Sequence, residues 1–584
     1  MLHLLLEEQV RAAVAAVLPD ATTAHIQVRP CDAKFGDYQT NTLMALAKER
    51  KLNPRQLAEQ VKAKLDVSRW CQAVDIAGAG FLNFRLKSSA LSEVLQAAAR
   101  GEHLFFQKTT QPRSVVVDFS SPNIAKPMHV GHIRSTTLGD CLARTLRLLG
   151  HHVVTDNHIG DWGTQFGKLL VGWKRELNRS ALEQDAIGEM ERLYKKITAE
   201  GEANPATLET ARQELVQLQA GDEQNLRIWQ EMIALSERQF DTIYGRLGVK
   251  FDHTYGESFY NPRLKSVVQE LRDRGLARES DGAVCVFSDG TLPPKQDPFL
   301  IQKEGEWVPN PCLILKSDGA ANYATTDLAT LQFRLETWQP AEIIYVTDGR
   351  QQLHFNQIFN VFRRWHPEVK VKLAHVWFGS ILGDDGKPFK TRSGETVKLA
   401  DLLDEAEERA FKVVTEKNPE LPEAQRREVA RVVGLGAVKY ADLLPNRQSD
   451  YVFSWDKMLS LQGNTVPYLQ YAYARVHGIL RKNQGVGPPA AGEVVLTAPE
   501  EIALARHLLN FGLTLEAVAE EYRPNFLCNY LYDLAGFFAR FFENCPVLKA
   551  EPAERATRLA LCDLTGRVLQ QGLAVLGIET LEQM

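Results

Sequence analysis

Residues 114–160 read as a strand, a helix and a second strand, and that leaves the chain few folds. SVVVDF (114–119) has the near-continuous β-branched character of a buried parallel strand. RSTTLGDCLARTLRLLG (134–150) carries a helical apolar period that stops at Gly150, and HHVVTDNHIG (151–160) supplies the next strand. A strand–helix–strand unit of this length starts a doubly wound nucleotide-binding sheet, with its ligand where the first strand ends.

The rest of the chain arranges itself around that unit. AEIIYVTDG (341–349) and AHVWFGSIL (374–382) resume buried-strand texture, separated by the helical HFNQIFNVFRRW, while 170–245 is a long, charged, helical insertion. Upstream, residues 1–110 mix amphipathic helices, turn signals such as Asn53-Pro54 and the strand-like GFLNFRL (80–86). Glu7, Glu8 and Arg11 interrupt the opening apolar run, so it reads as a helix with Leu2, Leu5, Leu6, Val10, Ala13 and Val17 on one face, not a signal peptide. Beyond about 400 the pattern is nearly all helical, with a Gly/Pro-rich loop at 485–492. The expected fold class is multidomain α/β: an N-terminal α+β domain (1–110), a Rossmann-like doubly wound parallel sheet (111–450) and a C-terminal all-α helical bundle (451–584).

Charge and cysteine usage narrow the setting. Lys and Arg number 68 against 73 Asp and Glu, so a nucleic-acid partner must use local patches such as 48–55, 426–431 or 475–482. The eight cysteines form no C-x-x-C pair, which argues against structural zinc and disulfides and for a reducing cytoplasm. No window approaches the ~18 consecutive apolar residues of a membrane span, so no membrane partner is expected.

SSPNIAKPMHVGH (120–132) stands between the first strand and its helix and contains H-x-G-H at His129, Gly131 and His132. Composition alone gives about 0.02 such matches by chance. At a helix N-terminus, free N–H groups and the helix dipole favour a polyphosphate. Gly131 allows a nucleotide ring to approach, and two imidazoles can donate to phosphate oxygens. Core or metal-binding histidines are the competing reading, but no carboxylate or third histidine stands at ligand spacing, so no protein-held metal is expected.

These residues resemble the HIGH-type signature of class I aminoacyl-tRNA synthetases, and the chain resembles the arginyl-tRNA synthetases of bacterial type along essentially its whole length. FSSPNIAKPMHVGHIRST (119–136), DNHIGDWGTQFG (156–167), KFGDYQTN (34–41) and LGIETLEQM (576–584) carry the likeness in order. The resemblance implies that L-arginine and ATP, with Mg2+, form arginyl-adenylate, and that arginine then passes to the terminal ribose of tRNA(Arg), by a monomeric enzyme. Attack of a carboxylate on the α-phosphate demands positioning and cations. The family's second signature, K-M-S-K-S, corresponds to GDDGKPFKTRSGETVKL (383–399), where the first Lys and the Ser are not reproduced in register. Lys390 and Arg392, with Lys387, are the cations available there, and Lys126 supplies the missing charge.

A guanidinium presents paired planar donors, so its pocket needs carboxylates placed edge-on. Asp118 ends the first strand, and Asp327 follows Tyr323 by four residues, on one helix face. By resemblance, Tyr323 and Asp327 flank the substrate side chain, while Ser121, Asn123, His132 and Gln351 hold its amino and carboxylate ends. The family often has Glu where this chain has Asp118. His158, Asp161, Trp162 and Gln165 either line the ATP or terminal-adenosine site or, as for Trp162, belong to the core.

For tRNA, residues 451–584 resemble the family's anticodon-binding bundle, with Tyr468, Tyr471, Tyr473, Arg475, Tyr530 and Phe538 as stacking and edge-reading candidates, or core aromatics. The first 110 residues resemble the additional domain that grips the outer corner of tRNA. There Phe35, Tyr38, Gln39 and Asn41 read a flipped base, or else form a turn on Gly36-Asp37 with Tyr38 packed inward. Another class I synthetase, such as the cysteinyl enzyme, and a tRNA-binding paralogue without activation are the alternatives.

Overall fold

Strand β1 (Ser114–Asp118) forms the centre of a five-stranded parallel sheet, and its Val115, Val116 and Val117 are fully buried, as a strand covered on both faces requires. The structure, a computed structural model, describes residues 1–23, 25–390, 396–483 and 494–584. It divides into two units, one of residues 110–459 with 576–578, the other of 1–109 with 460–575 and 579–584.

In the first unit β1 leads through residues 119–129 into α1 (Val130–Leu148) and returns as β2 (His152–Asn157). Gly150, at φ +91°, reverses the chain between them. The insertion follows as α2 (Gln165–Glu176), α3 (Ala186–Ala203) and α4 (Glu223–Leu247), with the helix Arg179–Gln184 between the first two and the helix Pro205–Ala220 between the last two. Then come β3 (His253–Thr254), α5 (Tyr323–Trp338), β4 (Glu342–Tyr345), α6 (Gln352–Trp365) and β5 (Lys372–His375). The order across the sheet is β5-β4-β1-β2-β3, all parallel. Strand order therefore reverses beside β1, and the crevice at the carboxyl ends of β1 and β4 is the switch point where such sheets bind ligands. Leu328, Ile343, Phe362 and Trp365, essentially fully buried, pack α5 and α6 onto one face. Helices α7 (Leu399–Lys417) and α8 (Glu423–Leu443) follow, and Asp442 of α8 meets Arg134 of α1 at 3.0 Å with both side chains fully buried.

Two features depart from the sequence reading. The stretch 374–382 is not one strand: β5 ends at His375, and Ile381–Leu382 pairs instead with Tyr451–Val452. An antiparallel sheet of Ala277–Ser280, Ala283–Val286 and Cys312–Leu315 was not anticipated, although Asp281-Gly282, both at positive φ, is a hairpin signal in the sequence.

In the second unit, an antiparallel sheet in the order Arg29–Pro30, Tyr38–Thr40, Phe81–Leu86, Cys71–Ala77 accompanies the helix Leu2–Val17. That helix buries Val14 fully, whereas the expected Leu5 is 37 % exposed, because its apolar stripe follows Leu2, Leu6, Val10, Ala13 and Val14. Helices Val466–Lys482, Pro499–Leu508, Phe511–Glu521, Asn525–Asn544 and Pro552–Val575 make up its all-helical part. The loop expected at 485–492 lies outside the described residues.

Candidate active site

The loop between β1 and α1 is held in a backbone shape that side chains rarely adopt. Ser120, Ser121 and Ala125 all have positive φ, at 74°, 50° and 60°. Bonds on every side sustain that strain: Ser121 N–H donates to Asn157 Oδ1 at 3.0 Å, Ile124 N–H to the Gly160 carbonyl at 3.1 Å and Ala125 N–H to Ser236 Oγ at 3.1 Å. Gly160 is required there, since a Cβ on it would lie 2.2 Å from Asn123 Oδ1. Asn123 is thereby presented exposed at the mouth of the crevice.

His129 caps α1. Its Nδ1 accepts from Gly131 N–H at 3.1 Å, and His132 Nδ1 accepts from His129 N–H at 3.0 Å. With both Nδ1 atoms accepting, each neutral ring carries its proton on Nε2, a donor suited to phosphate oxygens. Burial, then His129, pushes His132 down to about 3, and burial, then Arg350 and Lys126, lowers His129. Both rings are therefore neutral donors. A Cβ on Gly131 would stand 2.9 Å from His129 Cε1, so the glycine is needed first for the histidine ring to fold back, a reason the sequence did not reveal.

The second signature segment comes back beside the first. Gly383 N–H donates to the Lys387 carbonyl at 2.8 Å, Gly386 turns at φ +72°, and Lys390 bridges Thr396. Val130 N–H then donates to the Val397 carbonyl at 2.9 Å and His129 bridges Lys398, which brings this strand alongside the histidines. Lys387, Lys390 and Lys398 are exposed. Lys398 was not picked out from sequence; Arg392 lies outside the described residues.

Across the switch point, α5 presents Tyr323, 61 % exposed, and Asp327 one turn on. His354 of α6 donates from Nε2 to Asp327 Oδ2 at 2.5 Å, and its ring lies 4.7 Å from that of Tyr323. Gln351, exposed, stands one turn before His354. Glu257, in the turn Glu257–Tyr260, is raised to about 7, chiefly by burial, with Asp327 and Asp161 adding to the rise and His158 opposing it. His354 and Glu257 escaped the sequence reading, because only the fold brings them to Asp327.

Asp118 differs from its expected role. Its Oδ2 accepts from the fully buried Arg334 at 2.6 Å and its Oδ1 from Ser121 Oγ at 3.2 Å, and only 5 % of the side chain is exposed. Asp118 and Asp156 pair in register at the ends of β1 and β2, so two buried carboxylates need one counter-charge, and Arg334 binds both. Asp118 thus meets an internal guanidinium and shapes the loop through Ser121.

Other predicted residues are placed as follows. Asp161 accepts from Ser258 N–H and Oγ, and Trp162 packs edge-on against Trp229 at 5.7 Å, so both tie the segment after β2 to its neighbours. His158 lies tilted against Tyr260 with ring centroids 5.5 Å apart, and a Cβ on Gly163 would meet Gln165 Oε1 at 2.6 Å. In the second unit Phe35 and Asn41 are exposed and Gln39 half-buried, but Tyr38 is 2 % exposed and faces the core, which removes it from base stacking. Tyr473, Tyr530 and Phe538 are likewise core. Tyr471 is exposed, with the Arg475 guanidinium 5.0 Å over its ring and 5.7 Å over that of Phe542, and Tyr468 lies beside Tyr532 at 5.7 Å.

Comparison with known proteins agrees across the chain. Residues 93–455 match the family described as tRNA synthetases class I (R), catalytic domain; 469–584 match the DALR anticodon binding domain, and 4–86 the arginyl tRNA synthetase N terminal domain. The arginine–tRNA ligase of Synechococcus elongatus is 46 % identical over 594 aligned positions, covering 99 % of each chain, and that of Chromobacterium violaceum is 45 % identical over 100 % of each. Among solved structures, the Thermus thermophilus arginyl-tRNA synthetase superposes over 100 % of both chains with a TM-score of 0.82 at 26 % identity, and the Plasmodium falciparum one with 0.83 at 28 %, covering 100 % of this chain and 99 % of that one.

Proposed function

The chain belongs to the class I arginyl-tRNA synthetases, and from that premise we propose how its own residues divide the work of joining arginine to tRNA. The relatives reported above are arginine–tRNA ligases and lend no support to a different class I specificity or to a paralogue without activation. The observation that carries the assignment is Asp327, hydrogen-bonded by His354, whose ring packs near that of the exposed Tyr323, and near enough to Glu257 to raise its carboxyl.

Asp327 and Glu257 take the substrate guanidinium edge-on, with Tyr323 over its plane. Ser121, Asn123, His132 and Gln351 orient the amino and carboxylate ends, and Asp118, bonded to Arg334, fixes Ser121 for that purpose. ATP enters with Mg2+ carried on its phosphate oxygens. His129 and His132 donate to those oxygens over Gly131 at the N-terminus of α1, and Lys126, Lys390 and Arg392 neutralise charge as the carboxylate attacks the α-phosphate and pyrophosphate departs.

The catalytic region spans 111–450. Residues 1–110, through Phe35, Gln39 and Asn41, grip the outer corner of tRNA(Arg), and 451–584, through Tyr468, Tyr471 and Arg475, stack on its anticodon loop. The protein acts as a cytoplasmic monomer. The decisive experiment is arginine-dependent ATP–pyrophosphate exchange with and without tRNA(Arg), with lysine and citrulline as controls. Exchange with arginine alone among the amino acids is expected, and citrulline exchanging as well as arginine would sink the pocket assignment.

A further inference from the structure

The helical insertion carries a cation, Lys168, that the steps above leave unused, and it shares an aromatic ring with Lys126, which they set at the reacting phosphates. Tyr194 of α3 has the Lys168 ammonium of α2 5.4 Å from its ring centroid and the Lys126 ammonium, from the loop before His129, 5.8 Å away. Lys168 Nζ also donates to Thr198 Oγ1 at 3.2 Å. Every other lysine and arginine of these two helices has a carboxylate within 4.0 Å: Lys174 meets Glu214, Arg175 meets Glu200, Arg192 meets Glu189, Lys195 meets Glu191 and Lys196 meets Glu176. Lys168 and Lys126 have none among the described residues. Lys126 is exposed, and Lys168 and Tyr194 are half-buried, so the site is open to solvent.

Two ammonium groups sharing one ring, without a carboxylate partner beside helices whose other cations are all paired, call for an anion from outside. The reaction offers one of suitable form. The 3′ end of tRNA is single-stranded, and single strands are held by cations along the backbone together with an aromatic platform. Lys126 lies three residues before His129, so a phosphodiester held there belongs to a nucleotide close to the terminal ribose that receives arginine. We propose that Lys168, Tyr194 and Lys126 form a phosphodiester site that guides the single-stranded 3′ end of tRNA into the crevice. The proposal rests on reading His129 and His132 as the ATP phosphate site; the shared chemistry, a phosphate between lysines, could instead be met by the triphosphate of ATP, and the test separates the two.

The full chain with Lys168→Gln is compared with wild type for tRNA affinity at several salt concentrations, using intact tRNA and tRNA lacking its last three nucleotides, and for the KM of ATP in pyrophosphate exchange. Intact tRNA should bind roughly five- to ten-fold more weakly, with its salt slope reduced by about 0.7, and the truncated tRNA should bind both proteins alike. KM for ATP should not change, and Lys168→Arg should restore tRNA affinity. A raised KM for ATP with unaltered tRNA binding would assign the cations to the triphosphate and overturn the proposal. So would an equal loss with truncated tRNA, or no change in either measurement, which would leave the lysines merely covering the tyrosine. Failure of the ATP reading itself has a separate signature, unchanged exchange in His132→Ala.

Discussion

Below about pH 7 Glu257 is held mainly as the neutral acid until a cation reaches it. Its carboxyl is raised from 4.5 to about 7, first by burial and then by Asp327 and Asp161. A folded-state value above the unfolded one means that this group's contribution to stability is fully present below about 4.5 and is lost as pH rises through 7. A bound guanidinium replaces the proton, so arginine binding should release about one proton below pH 7, and affinity should strengthen with pH from 6 to 8. Glu257→Gln should flatten that profile in calorimetry run in buffers of different ionisation enthalpy; an unchanged proton release would place Glu257 outside the pocket. Asp327→Ala should lower kcat/KM for arginine at least about 100-fold with KM for ATP nearly unaltered, because one partner of a buried ion pair is gone. Steady-state exchange kinetics decide it, and equal losses for both substrates would make Asp327 a structural residue. At this scale the sequence was readable where spacing is local: Tyr323 and Asp327 share a helix face four residues apart. His354 and Glu257 were not, since α6 and the turn at Glu257–Tyr260 reach Asp327 only through the folded sheet. Asp118 misled because its internal partner, Arg334, stands more than two hundred residues away.

At the scale of elements, α1 connects the phosphate site to the rest of its unit. Its N-terminus presents His129 and His132, and one turn beyond the cap Arg134 pairs with Asp442 of α8 at 3.0 Å, while Thr137 Oγ1 donates to the same carboxylate at 2.7 Å. Arg134 also donates to the Gly379 carbonyl at 2.8 Å, just before the signature loop. One buried side chain therefore fixes α1, α8 and the approach to residues 383–399. Arg134→Met should cost about 3–5 kcal/mol by stranding Asp442, and Arg134→Met with Asp442→Leu should recover much of it. Urea denaturation reads both, and a double variant no more stable than the single would show that the helices need the charge itself. The parallel strands were legible because burial on both faces selects unbroken β-branched runs. The antiparallel piece at 277–315 was not, because its four-residue strands are too short for an alternating pattern to rise above the loops around them.

At the scale of the molecule, the two ends of the chain build one unit. Arg506 Nε meets Asp37 Oδ1 at 2.6 Å, and the other oxygen of Asp37 accepts from Leu86 N–H at 2.7 Å, which joins the helix Pro499–Leu508 to the N-terminal sheet. Arg567 donates to the Ala98 carbonyl at 3.0 Å, and Gly512 comes so near the Phe105 carbonyl that a Cβ there would stand 2.4 Å from it. No local pattern foretold this, since periodicity names elements but not which distant elements share a core. The consequence is kinetic as well as structural. Residues 1–109 leave the ribosome first, yet the helices they pack against come last, after the whole of 110–459. Contacts so distant in sequence form late and leave apolar surface uncovered meanwhile. A chain ending at residue 459 should therefore keep a protease-resistant 110–459 but be cut readily within 1–109, and adding 460–584 as a separate fragment should restore protection there. Limited proteolysis followed by mass spectrometry reads this directly. Residues 1–109 resisting cleavage without their C-terminal partner would mean that the N-terminal sheet holds its own core, and that the ion pair and the Gly512 contact join two parts already folded.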